Sequence, residues 1–212
     1  CVVIFLWQVS HDAGARQLII YALGVIPAVL FDAATMPEEL AWIPPGLTIV
    51  TSMFLHGGWG HLLGNMLYLW IFGNNIEDSM GHFRFILFYL ICGVAAVLAQ
   101  ALPNPGSEIP MVGASGAISG VLGAYLLLHP HARVLVLIPL GVILQPFQIK
   151  AVWVLGLWFV MQLLSSMLTA SGEGGVAFGA HIGGFIAGMA LIPLFKHKDI
   201  RLQNPCGSSA SR

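Results

Sequence analysis

Between Arg84 and Lys196 the chain carries charge at only four positions, Glu108, Arg133, Lys150 and Glu173. The intervals they leave approach or exceed the roughly 20 apolar residues that cross a bilayer. Over the whole chain 8% of residues are charged and 58% are hydrophobic. Soluble domains carry about 25% charge, so an integral membrane protein follows. It is of the all-α kind, because the strands of a membrane barrel would alternate polar and apolar residues. A net charge of −1 and the lack of any basic patch give no sign of a nucleic-acid partner. Cys1, Cys92 and Cys206 are scattered and odd in number, so they imply no disulfide framework.

Hydropathy places five spans near 59–72, 83–102, 112–128, 151–170 and 176–195. The apolar opening, residues 1–9, reads as the tail of a first spanning helix whose beginning precedes Cys1. It shows no basic segment or small-residue cleavage site of a signal peptide. The count is then six, in one membrane domain over 1–195, with 196–212 a disordered cytoplasmic tail. The segment 10–55 forms a long outer loop whose apolar stretch "LIIYALGVIPAVLF" lies partly in the interface. The stretch 134–147, "VLVLIPLGVILQPF", is interrupted by Pro139 and Pro146 and is either interfacial or re-entrant.

Charge asymmetry orients the spans. Arg84, Arg133, Lys150, Lys196, Lys198 and Arg201 fall on one side, whereas the opposite loops hold Asp12, Asp32, Glu38, Glu39, Glu108 and Glu173, with Arg16 the lone cation. Both termini are therefore expected in the cytoplasm. Spans two, four and six then run inward from the outer side, and their N-terminal ends share one depth.

Polar groups at that depth are costly and face a cavity or a partner. Span two brings His61 and Asn65, one turn apart on one face, with His56 just before it. Span four brings Ser115 and Ser119, and span six brings His181. Each has a plain structural reading. "VGASGAISG" is also a packing seam, with Gly116, Gly120 and Gly123 as its smooth stripe, met by Gly184 and Gly188 or by Gly179 and Gly183 on span six. His181 is also a candidate for an interhelical hydrogen bond, and His61 with Asn65 for a polar pair that joins helices. A metal site is disfavoured, because His56 and His61 are five residues apart and no carboxylate lies at that depth. A proton-coupled transporter would show Asp, Glu or Lys within its spans.

Nucleophilic catalysis accounts for all four residues together. Ser115 stands at a helix start, where free amides and the positive dipole end favour developing negative charge. His181 serves as its general base, held by packing against the glycine seam in place of an acidic third member. The Ser115 amide, Asn65 and His61 are the donors available to an oxyanion. No cofactor and no metal is required.

The motifs "HGGWGHLLGN", "GASG" and "AHIGG", in this order on alternate spans, resemble those of the rhomboid intramembrane serine proteases over about residues 40–195. The resemblance implies a six-helix rhomboid fold of prokaryotic type, in a plasma membrane, with a cavity opening outward. It implies that Ser115 is the nucleophile, His181 the base, and His61, Asn65 and the Ser115 amide the oxyanion hole. Gly113 would keep the backbone tight before the serine, and His56 would be structural. Gly116, Ser119 and Gly184 would support the pair. The implied partners are transmembrane protein substrates that approach laterally past span five, under a glycine-rich cap, "SGEGGVAFG". Two positions depart from the family pattern: Leu47-Thr48 replaces a frequent Trp-Arg pair, and Ser119 replaces a tyrosine that packs on the base in some members. The alternatives are a non-catalytic rhomboid-like binder or chaperone of transmembrane helices, and a transporter.

Overall fold

A computed structural model describes residues 1–140, 143–168 and 176–202. Cys206 and most of the expected glycine-rich cap lie outside these residues, as do the ends of span five and of the tail. Nine α-helices are found among the described residues. Helix α1 (Val2–Val9) leads into α2 (Ala13–Leu23), whose first turn is capped by Asp12, the Ala15 amide donating to Oδ1 at 3.0 Å. Short helices α3 (Pro27–Leu30) and α4 (Pro45–Thr51) follow, each opening on the proline that suits a first helical turn. The long elements are α5 (Trp59–Met80), α6 (His82–Ala101), α7 (Ser115–Leu128), α8 (Ala151–Leu168) and α9 (Phe178–Phe195).

Helix α7 is the centre of the bundle. It is apolar around its whole circumference, and 11 of its 14 residues are buried, as such a helix requires. Its glycines let α9 approach on one side and α6 on another. A Cβ on Gly188 would strike the Gly120 carbonyl, and one on Gly184 would strike the carbonyl of Gly116. A Cβ on Gly116 or Gly120 would meet Ala96 or Cys92 of α6 at 2.6 and 2.5 Å. The other small pair of α9, Gly179 and Gly183, faces α6, against Gln100 and Ala99. Helix α9 thus carries two smooth faces, one for each neighbour. Below the seam the core closes with Phe72, Ile76, Phe88, Val121, Leu122, Phe185 and Ile192.

Among the described residues three helices, α6, α8 and α9, are long and apolar enough to cross a membrane. Helix α8 is the least enclosed of these, with only Ala151 and Leu155 of its 18 residues buried. Helix α5 continues eight residues past Phe72, the hydropathic end of span two, to Met80. Hydropathy falls at "GNNIEDSM", but nothing there breaks a helix until Gly81, which turns the chain at φ 83°.

The apolar stretch of the outer loop packs inward: Ile19, Ala22, Val25, Ile26 and Ala28 are buried. The stretch 134–147 is neither a simple interfacial coil nor a helix. Arg133–Leu140 (β1) and Ile143–Lys150 (β2) pair as an antiparallel hairpin, with Val134 opposite Ile149 and Val136 opposite Phe147. Its prolines are tolerated because a two-stranded ribbon consists only of edges. Val134 is buried and Val136 packs on the core, while Leu135, Leu137, Ile143 and Leu144 are exposed.

Candidate active site

The alternating directions of the long helices bring the starts of α5, α7 and α9 to one end of the bundle, beside the ends of α6 and α8. A cavity of about 850 Å³ opens there, lined among others by His61, Asn65, Ser115, Ser119, Trp158 and His181. At the opposite end the Arg84 guanidinium reaches the Phe195 carbonyl at 3.5 Å. One wall of the cavity is the 102–114 loop, pinned to α3 and the segment just before it. Val25 and Met111 exchange two backbone bonds at 3.0 and 2.7 Å, and the Ala28 amide donates to the Ser107 carbonyl at 2.9 Å.

Ser115 is the first residue of α7, and the helix begins there rather than at 112, where the apolar run starts. Gly113 is the reason: its φ of 123° breaks the helical path, and its amide donates to the Ser52 carbonyl at 2.8 Å. The first-turn amides of α7 have no helical partners, and no N-cap side chain takes them up. The Ser115 hydroxyl lies 2.8 Å from His181 Nε2, across 66 positions of sequence. The other ring nitrogen, Nδ1, is 2.8 Å from the Oε1 of Gln162 on α8. An amide oxygen only accepts, so Nδ1 carries the proton and Nε2 is free to accept from the serine. Trp158, one turn before Gln162, lies against the ring with centroids 5.9 Å apart.

The histidine is therefore held by α8, an arrangement that differs from the expected support by the glycine seam alone. Ser119, expected beside the base, directs its buried hydroxyl to the Ser115 carbonyl at 2.6 Å. It ties down the first turn of α7. Gly116 and Gly184 bring α7 and α9 together just behind the Ser115–His181 pair.

His61 and Asn65 converge on Gly113. A Cβ there would lie 2.6 Å from His61 Cε1 and Nε2 and 3.8 Å from Asn65 Nδ2. The Gly57 amide points to His61 Nδ1 at 3.4 Å, which leaves the proton of that ring on Nε2. Asn65 is buried, and its Nδ2 has no partner among the described residues. His61 and Asn65 thus meet at Gly113, two residues before the serine, and line the same cavity as its hydroxyl.

His56 braces this wall. Gln8 of α1 clamps its main chain, accepting from the His56 amide at 3.1 Å and donating to its carbonyl at 3.4 Å. The buried His56 ring sits edge-on to His61 and Phe5, with centroids 5.1 and 6.4 Å away. Burial, with His61 adding to it, pushes His56 down to about 4. The unfolded chain takes up this proton near 6.5, so the stability His56 contributes is complete above pH 6.5 and is lost as pH falls toward 4. About 2 kcal/mol should be gone by pH 5. The check is the pH dependence of the denaturation midpoint in detergent, which should flatten in His56→Phe; parallel curves would refute it.

Three glutamines escaped the sequence reading: Gln8, Gln100 and Gln162. Gln100, on α6, accepts the Ala180 amide at 3.2 Å and so fixes the start of α9 one residue before His181. The signal that finds them is the one applied to histidine and serine, a polar side chain inside an apolar run.

Residues 45–198 match the Rhomboid domain family. Rhomboid-like protein 11, chloroplastic, of Arabidopsis thaliana is 29% identical over 159 residues, 70% of this chain and 52% of that protein. Rhomboid protein 1, mitochondrial, of Saccharomyces cerevisiae is 28% identical over 190 residues, 81% and 51% of the two chains. Rhomboid protease GluP of Bacillus subtilis is 35% identical over 143 residues, 68% of this chain and 25% of that one. The chain spans about half the length of the first two relatives and a quarter of the third. The family match spans the 102–114 wall and the four side chains His61, Asn65, Ser115 and His181, and with the apolar helices it makes the chain a membrane-embedded member of the rhomboid family.

Proposed function

We propose that the chain is an intramembrane serine endopeptidase that cuts transmembrane segments of other membrane proteins. The observation that carries this reading is the 2.8 Å contact between the Ser115 hydroxyl and an imidazole nitrogen free to accept, at the wall of a cavity. His181 Nε2 takes the hydroxyl proton as Oγ attacks the scissile carbonyl. The resulting oxyanion receives donors from His61 Nε2, Asn65 Nδ2 and the Ser115 amide. The protonated ring then delivers its proton to the departing amine, and a water molecule repeats the sequence to release the acyl group.

A helical peptide bond is closed to this attack, because its carbonyl is already hydrogen-bonded. The substrate segment must unwind at the cut, which favours Gly, Pro or Ser nearby, and it approaches past α8, the least enclosed of the three spanning helices. The excess of cations at the end opposite the cavity supports an orientation in which the cavity opens on the side away from the cytoplasm.

The test is covalent. A fluorophosphonate should modify the purified protein at one position, Ser115, and leave Ser115→Ala unlabelled. Labelling at another serine, or none in wild type, sinks the proposal. Gly113→Ala should label on the order of 100-fold more slowly, the loss typical of one oxyanion donor. Its Cβ both resists the backbone φ of 123° and displaces the His61 ring. A wild-type labelling rate in that variant would show that His61 plays no part in the step.

A further inference from the structure

Helix α8 meets the rest of the bundle along one stripe: Leu155, Trp158, Phe159 and Gln162, spaced as one helical face. Leu155 is buried, and Phe159 stacks on Phe185 with centroids 4.6 Å apart. Trp158 lies between Phe185 and the His181 ring, at 6.0 and 5.9 Å. Gln162 is the polar member of this stripe, half-buried, with its amide oxygen on His181 Nδ1 at 2.8 Å. Unlike Trp158 it does not line the cavity. It stands behind the imidazole, on the side away from Ser115.

We propose that Gln162 is the positioning residue of the base, filling the place that an acidic third member holds in a Ser-His-Asp set. This rests on the reading of Ser115 and His181 as the reacting pair. A neutral imidazole has one protonated nitrogen. With no acceptor at Nδ1 the proton can settle on Nε2, and the ring then cannot take the hydroxyl proton of Ser115. The Gln162 oxygen holds the proton on Nδ1, and Trp158 one turn away fixes the plane of the ring. An amide does this without placing a carboxylate in the bilayer, where an uncompensated charge is costly. It also stabilises the imidazolium less than a carboxylate would, so its removal should cost less than the roughly 10⁴-fold lost when a charged orienter is replaced.

The experiment compares Gln162→Met, which keeps the length of the side chain but not the acceptor, with Gln162→Glu, which keeps the acceptor. Cleavage of a single-pass reporter is measured together with the ¹⁵N shifts of the His181 ring, assigned against His181→Gln. Gln162→Met should lose on the order of 10- to 100-fold in kcat, with KM within about twofold, and its ring shifts should move toward the Nε2–H form. Gln162→Glu should recover the lost rate and restore the Nδ1–H shifts. Wild-type kcat with unchanged shifts in Gln162→Met overturns the proposal. If Gln162→Met fails to fold, Gln162→Glu decides: active with Nδ1–H shifts it supports the proposal, and folded but inactive it overturns it. Failure of the fluorophosphonate to label wild type would overturn the parent reading separately, because the ring shifts report the Gln162 contact without any turnover.

Discussion

Purified Ser115→Ala is expected to cut a single-pass reporter at least about 10⁴-fold more slowly than wild type, with its melting point unchanged. The hydroxyl is the only group removed, and among the described residues its hydrogen-bond partner is the His181 ring. The fold has no need of it, since the first turn of α7 is tied down by Ser119. His181→Ala should lose a similar factor. The double variant should be little worse than either single one, because a nucleophile without its base and a base without its nucleophile fail at the same step. Asn65→Ala, which removes one of three donors, should retain more activity, with a loss nearer 10²- to 10³-fold. Cleavage that survives in Ser115→Ala, freed of contaminating protease, would refute the assignment. A binder or chaperone of transmembrane helices would instead keep its affinity for the segment in every one of these variants and never cut it.

The second large effect belongs to the seam. Gly188→Val should destabilise the protein by about 3 kcal/mol or more. Its Cβ would fall on the Gly120 carbonyl oxygen and lie 2.5 and 2.6 Å from the Gly120 carbonyl carbon and Cα. These are backbone atoms on both sides, so no rotamer change relieves the overlap, and α7 and α9 must separate. That separation also lengthens the Ser115–His181 contact, so fluorophosphonate labelling should slow in whatever fraction stays folded. Gly156→Ala on α8 is the control: nothing lies within 4 Å of its Cβ, and replacing a mid-helix glycine gains up to about 1 kcal/mol. Equal melting points for Gly188→Val and Gly156→Ala would show that α7 and α9 are not in backbone contact.

What the sequence disclosed, and what it did not, follows from the range of each interaction. The uncharged intervals disclosed the long apolar helices α6, α8 and α9 because transfer into lipid is read residue by residue. The shared depth of His61, Asn65, Ser115 and His181 followed from chain direction alone. Helix ends were less legible. The end of α5 at Met80 and the start of α7 at Ser115 are set by the backbone angles at Gly81 and Gly113, to which hydropathy is blind. The hairpin of residues 133–150 hid because its apolar run matches a helix as well as a strand, and only pairing between two stretches distinguishes them. What Gln162 faces was hidden for a related reason. Its partner is 19 residues away on another helix, and a glutamine in an apolar stripe does not announce which neighbour it faces.

The length of α7 has a consequence for where a substrate would be cut. Its 14 residues rise about 21 Å, whereas the hydrocarbon layer is about 30 Å thick. Set flush with one interface, α7 ends about 9 Å short of the other, a rise of about six helical residues. Lipid need not deform around this short helix, because its neighbours enclose it. Under the proposed chemistry the shortfall becomes a ruler: the distance from the membrane surface to the cut bond is set by the length of one buried helix, whatever the sequence of the segment being cut.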